Sequence, residues 1–299
     1  MVKFFKQFMT NNNILNKGFD HFKNILSKDE TLELEDIIDE LNNKYSDKID
    51  RCTNANVLLS IAGLNKKLDL LIEKILTNPK INQALEGTLG KNYKIWQINT
   101  RISSGKDMGL SMHEDSPGQA NIWFFINTQN IPEGVTGVVP SSHLFPRICK
   151  KLSLSYIGVS KYLMNPMLGE MGDCSIFLNK VWHGRLPSKN NVNNKILAIG
   201  TFCEGSEYTP MPEAHDTSNI NSNFIVSKFG LKDNLKSTNN NKYLIEKSEE
   251  KDPYALQIEK NKLNLNILIK LSFYFFIEIF IRPIKLSLNF LLNLRKSQT

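Results

Sequence analysis

The run Asn121-Ile122-Trp123-Phe124-Phe125-Ile126 stands between polar, turn-forming segments and is rich in β-branched and aromatic side chains. Residues of these types are enriched in strands. Further short runs of the same kind occupy the centre of the chain, at residues 93–98, 137–139, 174–178 and 196–202. Many short strands separated by glycine and proline predict a sandwich or a jelly roll for residues 91–210.

Residues 1–90, in contrast, predict a mainly helical layer. Ser27 followed by Glu30 fits a capping box, in which each side chain bonds the backbone amide of the other residue. Residues 66–76 predict a second helix, because apolar side chains recur at the spacing of one helix face: Leu68, Leu71, Ile72 and Ile75. Asn78-Pro79 predicts the end of that helix, since a residue before proline avoids helical angles.

The end of the chain differs in composition from the rest. Residues 211–260 are polar and predict a surface extension or linker, and residues 261–299 predict a basic amphipathic helix. The 299-residue chain carries a net charge of +7, and this last segment holds six basic residues against one acidic residue. Such a tail favours an acidic partner or a membrane surface rather than nucleic acid bound across the domain. The helix could therefore lie in a membrane interface, dock on the protein or on a second copy of it, or span a membrane.

The spacing of the cysteines argues against two ways in which cysteines stabilise a fold. Cys52, Cys149, Cys174 and Cys203 are widely spaced and form no C-x-x-C pair. This argues against a zinc–thiolate site and against a disulfide framework, and it favours a reducing, cytoplasmic location. The apolar run at the N-terminus is too short for a secretory signal.

The triplet His113-Glu114-Asp115 predicts a metal site. On a strand, residues i and i+2 point to the same face, so one imidazole and one carboxylate could hold one ion. His183 is the best candidate for a third ligand. Two histidines and one carboxylate form a facial triad that leaves coordination positions open for a co-substrate and oxygen. The alternative is a His–Asp pair in a surface turn, because H-x-D triplets are common.

Several motifs occur in the order found in the phytanoyl-CoA dioxygenase-like family. Gly18-Phe19 precedes a predicted helix, as in that family's opening segment, and His113-Glu114-Asp115 matches its H-x-D. Gly134 and then Pro140-Ser141-Ser142-His143 resemble its glycine and P-G-S-H turn, although serine replaces the usual glycine. Gly172-Asp173, Phe177 and Trp182-His183-Gly184 resemble its second-histidine strand. The resemblance covers residues 18–202.

This resemblance implies an α+β fold with a mainly β core, in which N-terminal helices and an accessory C-terminal helix surround a double-stranded β-helix (a cupin-like jelly roll). It implies iron(II) held by His113, Asp115 and His183, with 2-oxoglutarate and dioxygen as co-substrates. The implied reaction is hydroxylation of a small-molecule or lipid-like substrate with release of succinate and carbon dioxide. Related halogenases have a small residue where this chain has Asp115, so the carboxylate favours hydroxylation.

The far carboxylate of 2-oxoglutarate requires a cation inside the barrel, which the family supplies as an arginine about eleven residues after the second histidine. Here the following strand begins with Lys195, which is the favoured candidate, and Arg185 is its competitor. Lysine supplies the charge without the bidentate fork of arginine. Gln97 could also contact 2-oxoglutarate, or it could form a cross-strand polar pair.

The other histidines predict structural roles: His143 bonding backbone in a turn, His21 partly buried beside aromatic residues, and His215 in solvent. Trp123 and Trp182 are predicted to be core residues. Two rival functions remain, a cupin-like metal-binding protein without oxidative chemistry or without activity, and a metal-dependent isomerase or hydrolase that uses no 2-oxoglutarate.

Overall fold

Two antiparallel sheets form the framework of the computed structural model, which describes residues 13–52, 55–107, 109–115, 118–144, 164–203 and 217–229. The large sheet has the strand order β1-β9-β6-β11-β4-β3-β2. Its strands are β1 (Phe19–Phe22), β2 (Asp50–Cys52), β3 (Ala55–Leu58), β4 (Lys94–Asp107), β6 (Gln119–Phe125), β9 (Cys174–Leu178) and β11 (Ser188–Phe202). The small sheet has the order β5-β10-β7-β8, with β5 (Leu110–His113), β7 (Thr136–Val138), β8 (Asn165–Pro166) and β10 (His183–Arg185).

Helices cover one face of the large sheet. They are α1 (Asn13–Lys17), α2 (Lys28–Lys44), α3 (Lys66–Thr77), α4 (Pro79–Leu89) and α5 (Asn223–Lys228). The predicted capping box is confirmed, because Ser27 accepts from the Glu30 amide and Glu30 accepts from the Ser27 amide. Asn78 both follows α3 and caps α4, whose first residue is Pro79. Proline is favoured at this position because the first helical amides lack an intrahelical partner.

The main hydrophobic core lies between these helices and the large sheet. Side chains from α2, α3 and α4 pack against alternate residues of the central strands, among them Leu34, Ile38, Leu68, Ile72, Ile98, Leu197 and Ile199. Each of the seven is fully or almost fully buried. Complete burial of one such side chain contributes about 1.5–3 kcal/mol, so this face fixes the helical layer on the sheet.

The opposite face of the large sheet points towards the small sheet. A second core there contains Phe125, Val138, Phe177, Val181 and Ile196. Successive residues of one strand therefore contribute to different cores: Phe124 packs with the helices and Phe125 between the sheets. This alternation places the polar residues of β4 and β11 in two separate environments.

The mixed α and β architecture with mainly antiparallel sheets was predicted from the sequence. The five strands expected from the short apolar runs are confirmed, as is the helix at residues 66–76. The first ninety residues also contain β1, β2 and β3, of which β2 and β3 extend the large sheet beyond β4. Among the helices that the structure describes, none is both long and apolar enough to cross a membrane. The predicted polar extension lies mostly, and the predicted C-terminal helix wholly, outside the described residues.

Candidate metal centre

His113 and His183 lie directly opposite each other on two neighbouring strands of the small sheet. Strands β5 and β10 run antiparallel, and their register pairs these two residues. The ring centroids are 4.4 Å apart with planes inclined by 54°. The sheet therefore brings together two imidazoles that are far apart in sequence.

Asp115 completes the cluster just beyond the end of β5. Its amide donates to the carbonyl oxygen of Asn179 at 2.8 Å, which holds the chain in place after the strand ladder ends. Its carboxylate oxygens lie 3.9 Å from His113 Nε2 and 3.4 Å from His183 Nε2. One ligand atom from each of the three residues falls within 4.8 Å of the others. The structure thus assembles the three predicted metal ligands.

The ring of His183 is oriented by its surroundings. Its Nδ1 donates to the carbonyl oxygen of Val181 at 2.8 Å, because a carbonyl can only accept. The Phe177 ring lies 5.1 Å from the imidazole, and Trp123 packs edge-on against Phe177. This hydrogen bond orients the ring so that its other nitrogen, Nε2, faces Asp115, and Nε2 is the atom that would bind a metal.

The charges around Asp115 control its ionisation. Burial raises the pKa of this carboxyl, but the hydrogen bond to His183 and the positive charges of His183, His113 and Arg101 outweigh burial and lower it. Asp115 is therefore held as a carboxylate, the form that binds a metal.

A cavity of about 260 Å³ opens beside the three residues and is lined by both sheets. This volume lies just below the range for small-molecule sites, about 300–1,000 Å³. The polar part of the lining comes mainly from the large sheet and from Arg185: Gln97, Arg101, Gln129, Arg185 and Asn194. Aromatic and aliphatic side chains complete it: Val57, Trp96, Leu110, Trp123 and Ile196. Trp123, which the sequence placed in the core, packs against the second core and also lines this cavity.

A β-bulge in β4 turns two consecutive residues towards the cavity. The register of β4 with β11 changes between the pairs Gln97–Gly200 and Ile95–Thr201, so that Trp96 has no direct partner. Trp96 lies against Gly200, where an added Cβ would be only 2.5 Å from the indole nitrogen. Gln97 lines the cavity and accepts from Asn99 Nδ2 at 3.3 Å. Gln97 therefore lies at the site as expected, but its polar partner is on the same strand and not across the sheet, as the alternative had predicted.

Lys195 does not lie in the cavity, and its expected placement there is wrong. Its ammonium group lies on the helical side of the sheet, 2.8 Å from Glu35 Oε1 and 2.7 Å from Asp39 Oδ2. The neighbouring Asn194 lines the cavity instead. The reason is the two-residue period of a strand, in which a shift of one residue reverses the face. Burial lowers the pKa of Lys195, but the hydrogen bonds and charges of Asp39 and Glu35 more than offset burial and raise it.

Arg185, the competing candidate, does line the cavity. It follows His183 by two residues on β10, and both pair regularly with β7. The side chain is buried, with 8% of the residue exposed. Gly109 lies beside it with φ +81°, and a Cβ there would be 2.5 Å from the Arg185 carbonyl oxygen. Because glycine has no Cβ, the segment that joins β4 to β5 can approach β10 closely at this point.

Arg101 is a cavity residue that the sequence reasoning missed. It lies on β4 opposite Ile196 of β11 and Val57 of β3, and all three line the cavity. The guanidinium carbon is 5.9 Å from the centroid of the Trp123 ring. Counting in steps of two from Gln97 along the strand places Asn99 and Arg101 on the same face as Gln97. This pattern could have identified Arg101 as a cavity residue from the sequence.

The remaining described histidines have structural contacts. His143 Nε2 lies 3.0 Å from the Leu15 carbonyl oxygen, in agreement with its predicted bonding to backbone. His21 lies 3.0 Å from both Asp173 Oδ2 and Ser175 Oγ, and joins β1 to β9. His215 lies outside the described residues.

The amino-acid sequence matches no protein-family model and no curated protein. The fold does resemble solved structures. AviO1 from Streptomyces viridochromogenes is 14% identical, with a TM-score of 0.52 over 66% of this chain and 95% of that one. HygX from Streptomyces hygroscopicus, with nickel, 2-oxoglutarate and hygromycin B bound, is 9% identical, with a TM-score of 0.52 over 70% and 92%. The epimerase SnoN, in complex with Fe3+, alpha ketoglutarate and nogalamycin RO, is 12% identical, with a TM-score of 0.50 over 64% and 81%. At these identities the likeness shows the fold alone.

Proposed function

We propose that this chain is a non-haem iron(II)- and 2-oxoglutarate-dependent oxygenase that hydroxylates a small-molecule or lipid-like substrate. In this proposal the two sheets are the halves of a double-stranded β-helix of the phytanoyl-CoA dioxygenase-like kind. The observation that carries it is the cluster of His113, Asp115 and His183 at a cavity that also contains the buried Arg185. Two solved structures of similar fold support the proposal. HygX holds nickel with 2-oxoglutarate, and SnoN holds Fe3+ with the same compound under the name alpha ketoglutarate.

The residues present fit iron(II). Two imidazoles and one carboxylate are the donor set of the facial triad, which leaves coordination positions open. The hydrogen bond from His183 Nδ1 to Val181 fixes the tautomer that a metal requires, and the lowered pKa of Asp115 keeps that ligand charged. Carboxylate and carbonyl oxygens would predominate at a magnesium or calcium site, whereas histidine predominates here.

Arg185 is suited to bind the far carboxylate of 2-oxoglutarate. It enters the cavity two residues from a proposed ligand and is largely removed from solvent, where a guanidinium–carboxylate pair is strongest. Gln97 supplies a polar group on the same cavity wall. When bound, iron(II) and 2-oxoglutarate would supply the oxidising chemistry, in which dioxygen is consumed, succinate and carbon dioxide are released and one oxygen atom reaches the substrate.

The remainder of the lining would position the substrate. Trp96, Leu110 and Trp123 form apolar walls beside the cluster, and such walls exclude water and hold the substrate next to the metal. Asp115 is the most exposed of the three proposed ligands, with 42% of its side chain exposed against 17% for His113 and 7% for His183.

The test is anaerobic titration of the full-length protein with iron(II) and then with 2-oxoglutarate, followed by the weak visible charge-transfer band of the chelate. We expect a band in the native protein, its loss in His113→Ala, and at least a tenfold weaker 2-oxoglutarate affinity in Arg185→Met. A native protein that binds iron(II) without forming the band would overturn the oxygenase proposal in favour of a metal-binding protein without this chemistry.

A further inference from the structure

Carboxamide side chains line the described part of the cavity at four positions, and two of the four are bonded to backbone. Gln129 Nε2 donates to the Lys195 carbonyl oxygen at 3.4 Å. Asn194 Nδ2 donates to the Glu133 carbonyl oxygen at 3.0 Å. These two amides therefore help to hold the wall of the cavity in place.

The other two carboxamides, Gln97 and Asn121, lie on either side of Gly200. The register of the large sheet pairs Gly200 with Gln97 of β4 and with Asn121 of β6, so the three residues form one row across three strands. Two strand spacings separate the Cα atoms of Gln97 and Asn121 by about 10 Å. The row therefore places one carboxamide on each side of a position that has no side chain of its own.

Both of these carboxamides have hydrogen-bonding atoms without a partner in the described part of the chain. Gln97 Oε1 accepts from Asn99 Nδ2 at 3.3 Å, and the Nε2 amide group of Gln97 is left for a ligand. The side chain of Asn121 makes no hydrogen bond to any described residue, although it lines the cavity. A carboxamide offers a donor and an acceptor side by side and carries no charge. This row therefore favours a neutral ligand that both donates and accepts hydrogen bonds.

Indole rings border the same part of the cavity. Trp96 covers Gly200, since an added Cβ there would be 2.5 Å from the indole nitrogen. One row further along the sheet, Ala198 pairs with Trp123 of β6, and the small alanine leaves space beside that ring. Both indoles line the cavity. The negative face of an indole attracts the polarised C–H bonds of a saturated ring that carries oxygen.

The row lies beside the metal cluster. Asn121 pairs with Phe177 of β9. The centroid of the Phe177 ring is 5.1 Å from that of His183 and 5.2 Å from that of Trp123. A molecule bound by Asn121 and packed against Trp123 would therefore lie next to a proposed metal ligand, as a substrate must.

We propose that the substrate is a neutral, saturated ring with adjacent hydroxyl groups, such as a sugar or a cyclitol. Asn121 binds two neighbouring hydroxyls, one accepting from its amide nitrogen and one donating to its amide oxygen, while the ring packs against Trp123. This inference rests on the proposed function, because it names the substrate class of the proposed oxygenase. Gln97 also borders the proposed 2-oxoglutarate site, so Asn121 is the residue that distinguishes substrate from co-substrate. A long lipid chain would leave the Asn121 amide unsatisfied.

The test uses ligand-observed NMR on the full-length protein loaded with diamagnetic zinc(II) and saturating 2-oxoglutarate. The probes are three polyols: a cyclohexanediol with adjacent hydroxyls, myo-inositol and methyl glucopyranoside. Cyclohexanol and cyclohexanecarboxylate are the controls. We expect at least one polyol to bind about tenfold more tightly than either control, which corresponds to about 1.4 kcal/mol. A control that binds as tightly as every polyol would overturn the inference, in favour of an apolar or an acidic substrate.

Variants of Asn121 separate its role from other effects. Asn121→Leu, which keeps the size and removes the hydrogen-bonding atoms, should lower the affinity for the preferred polyol about tenfold, while the affinities for cyclohexanol and 2-oxoglutarate change little. Asn121→Ser should retain part of the preference, because a hydroxyl still donates and accepts. Asn193→Leu changes an exposed asparagine of β11 and should leave every affinity unchanged. A polyol preference that survives in Asn121→Leu would overturn the assignment.

The anaerobic iron(II) titration reports on the proposed function separately. If the chelate band forms but the polyols bind no better than the controls, the inference is wrong and the oxygenase proposal survives. If the native protein binds no 2-oxoglutarate with iron(II) or zinc(II), the proposed function itself fails.

Discussion

Lys195 Nζ and Asp39 Oδ2 lie 2.7 Å apart, and this contact joins β11 of the large sheet to helix α2. Glu35, one turn earlier on the same helix, contacts the same ammonium group at 2.8 Å. The lysine that the sequence suggested for the co-substrate thus fastens the helical layer to the sheet. Its contribution is to stability, and that can be measured.

We expect Lys195→Met to lower the free energy of unfolding by about 1–2 kcal/mol, since it leaves two carboxylates without their partner and Asp39 is partly solvated. The affinity for 2-oxoglutarate should not change. Urea denaturation and the anaerobic titration measure the two quantities. The raised pKa of Lys195 means that this stabilisation is complete below the ordinary value of 10.5 and is lost only as the pH rises through the raised value. A tenfold loss of 2-oxoglutarate affinity in Lys195→Met would show that Lys195 contributes to co-substrate binding as well as to the ion pair.

Glu30 should contribute to stability in a manner that depends on acid pH. Its hydrogen bond to Lys74 and the Ser27 amide lower its pKa from 4.5 to about 2. A group whose pKa is lower in the folded state stabilises the fold above the unfolded value and loses this effect as the pH falls through the folded value. Glu30→Gln should therefore cost about 1 kcal/mol at neutral pH, and the cost should shrink between pH 4.5 and 2. Urea midpoints of both proteins at pH 7, 4 and 3 test this, and a constant difference would contradict it.

His183→Gln should abolish metal binding with little change in the fold, because the side chain is a proposed ligand and glutamine approximates its size. His21→Gln is the matched control, since His21 contacts Asp173 and Ser175 away from the cluster. Calorimetry with iron(II) under nitrogen compares the two variants, and thermal unfolding checks that both are folded. Equal metal affinity in His183→Gln and the native protein would remove His183 from the site.

Gly109→Ala should weaken metal binding as well as stability. Both Gly109 and Gly105 have positive φ, so alanine costs about 1–2 kcal/mol at either position. Only at Gly109 would the new Cβ meet backbone, at 2.5 Å from the Arg185 carbonyl oxygen, whereas Gly105 has open space around it. We therefore expect Gly109→Ala to separate β5 from β10 and to lower iron(II) affinity at least tenfold, while Gly105→Ala lowers stability alone. Indistinguishable metal affinities would argue against this role of Gly109.

The sequence was sufficient for the parts of this molecule that depend on local pattern. Short apolar runs identified the central strands, the Ser27–Glu30 spacing identified the start of α2, and the H-x-D triplet with His183 identified the cluster. The face of Lys195 could not be obtained in this way, because it depends on the register of β11 against β4 and on acidic partners in a distant helix. The two-residue period from Gln97 could have placed Arg101 on the cavity face, but its proximity to Trp123 arises only when β6, β11 and β4 are placed side by side.

The alternation along β11 has a consequence for how this protein tolerates change over evolution. Lys195, Leu197 and Ile199 face the helices, whereas Asn194, Ile196 and Ala198 face the cavity. Changes at the first set alter how much folded protein a cell retains, and under the proposed function changes at Asn194 or Ala198 would alter which ligand the cavity accepts. Selection for abundance and selection for a new specificity therefore act on interleaved codons of a single strand, and each can proceed with little interference from the other.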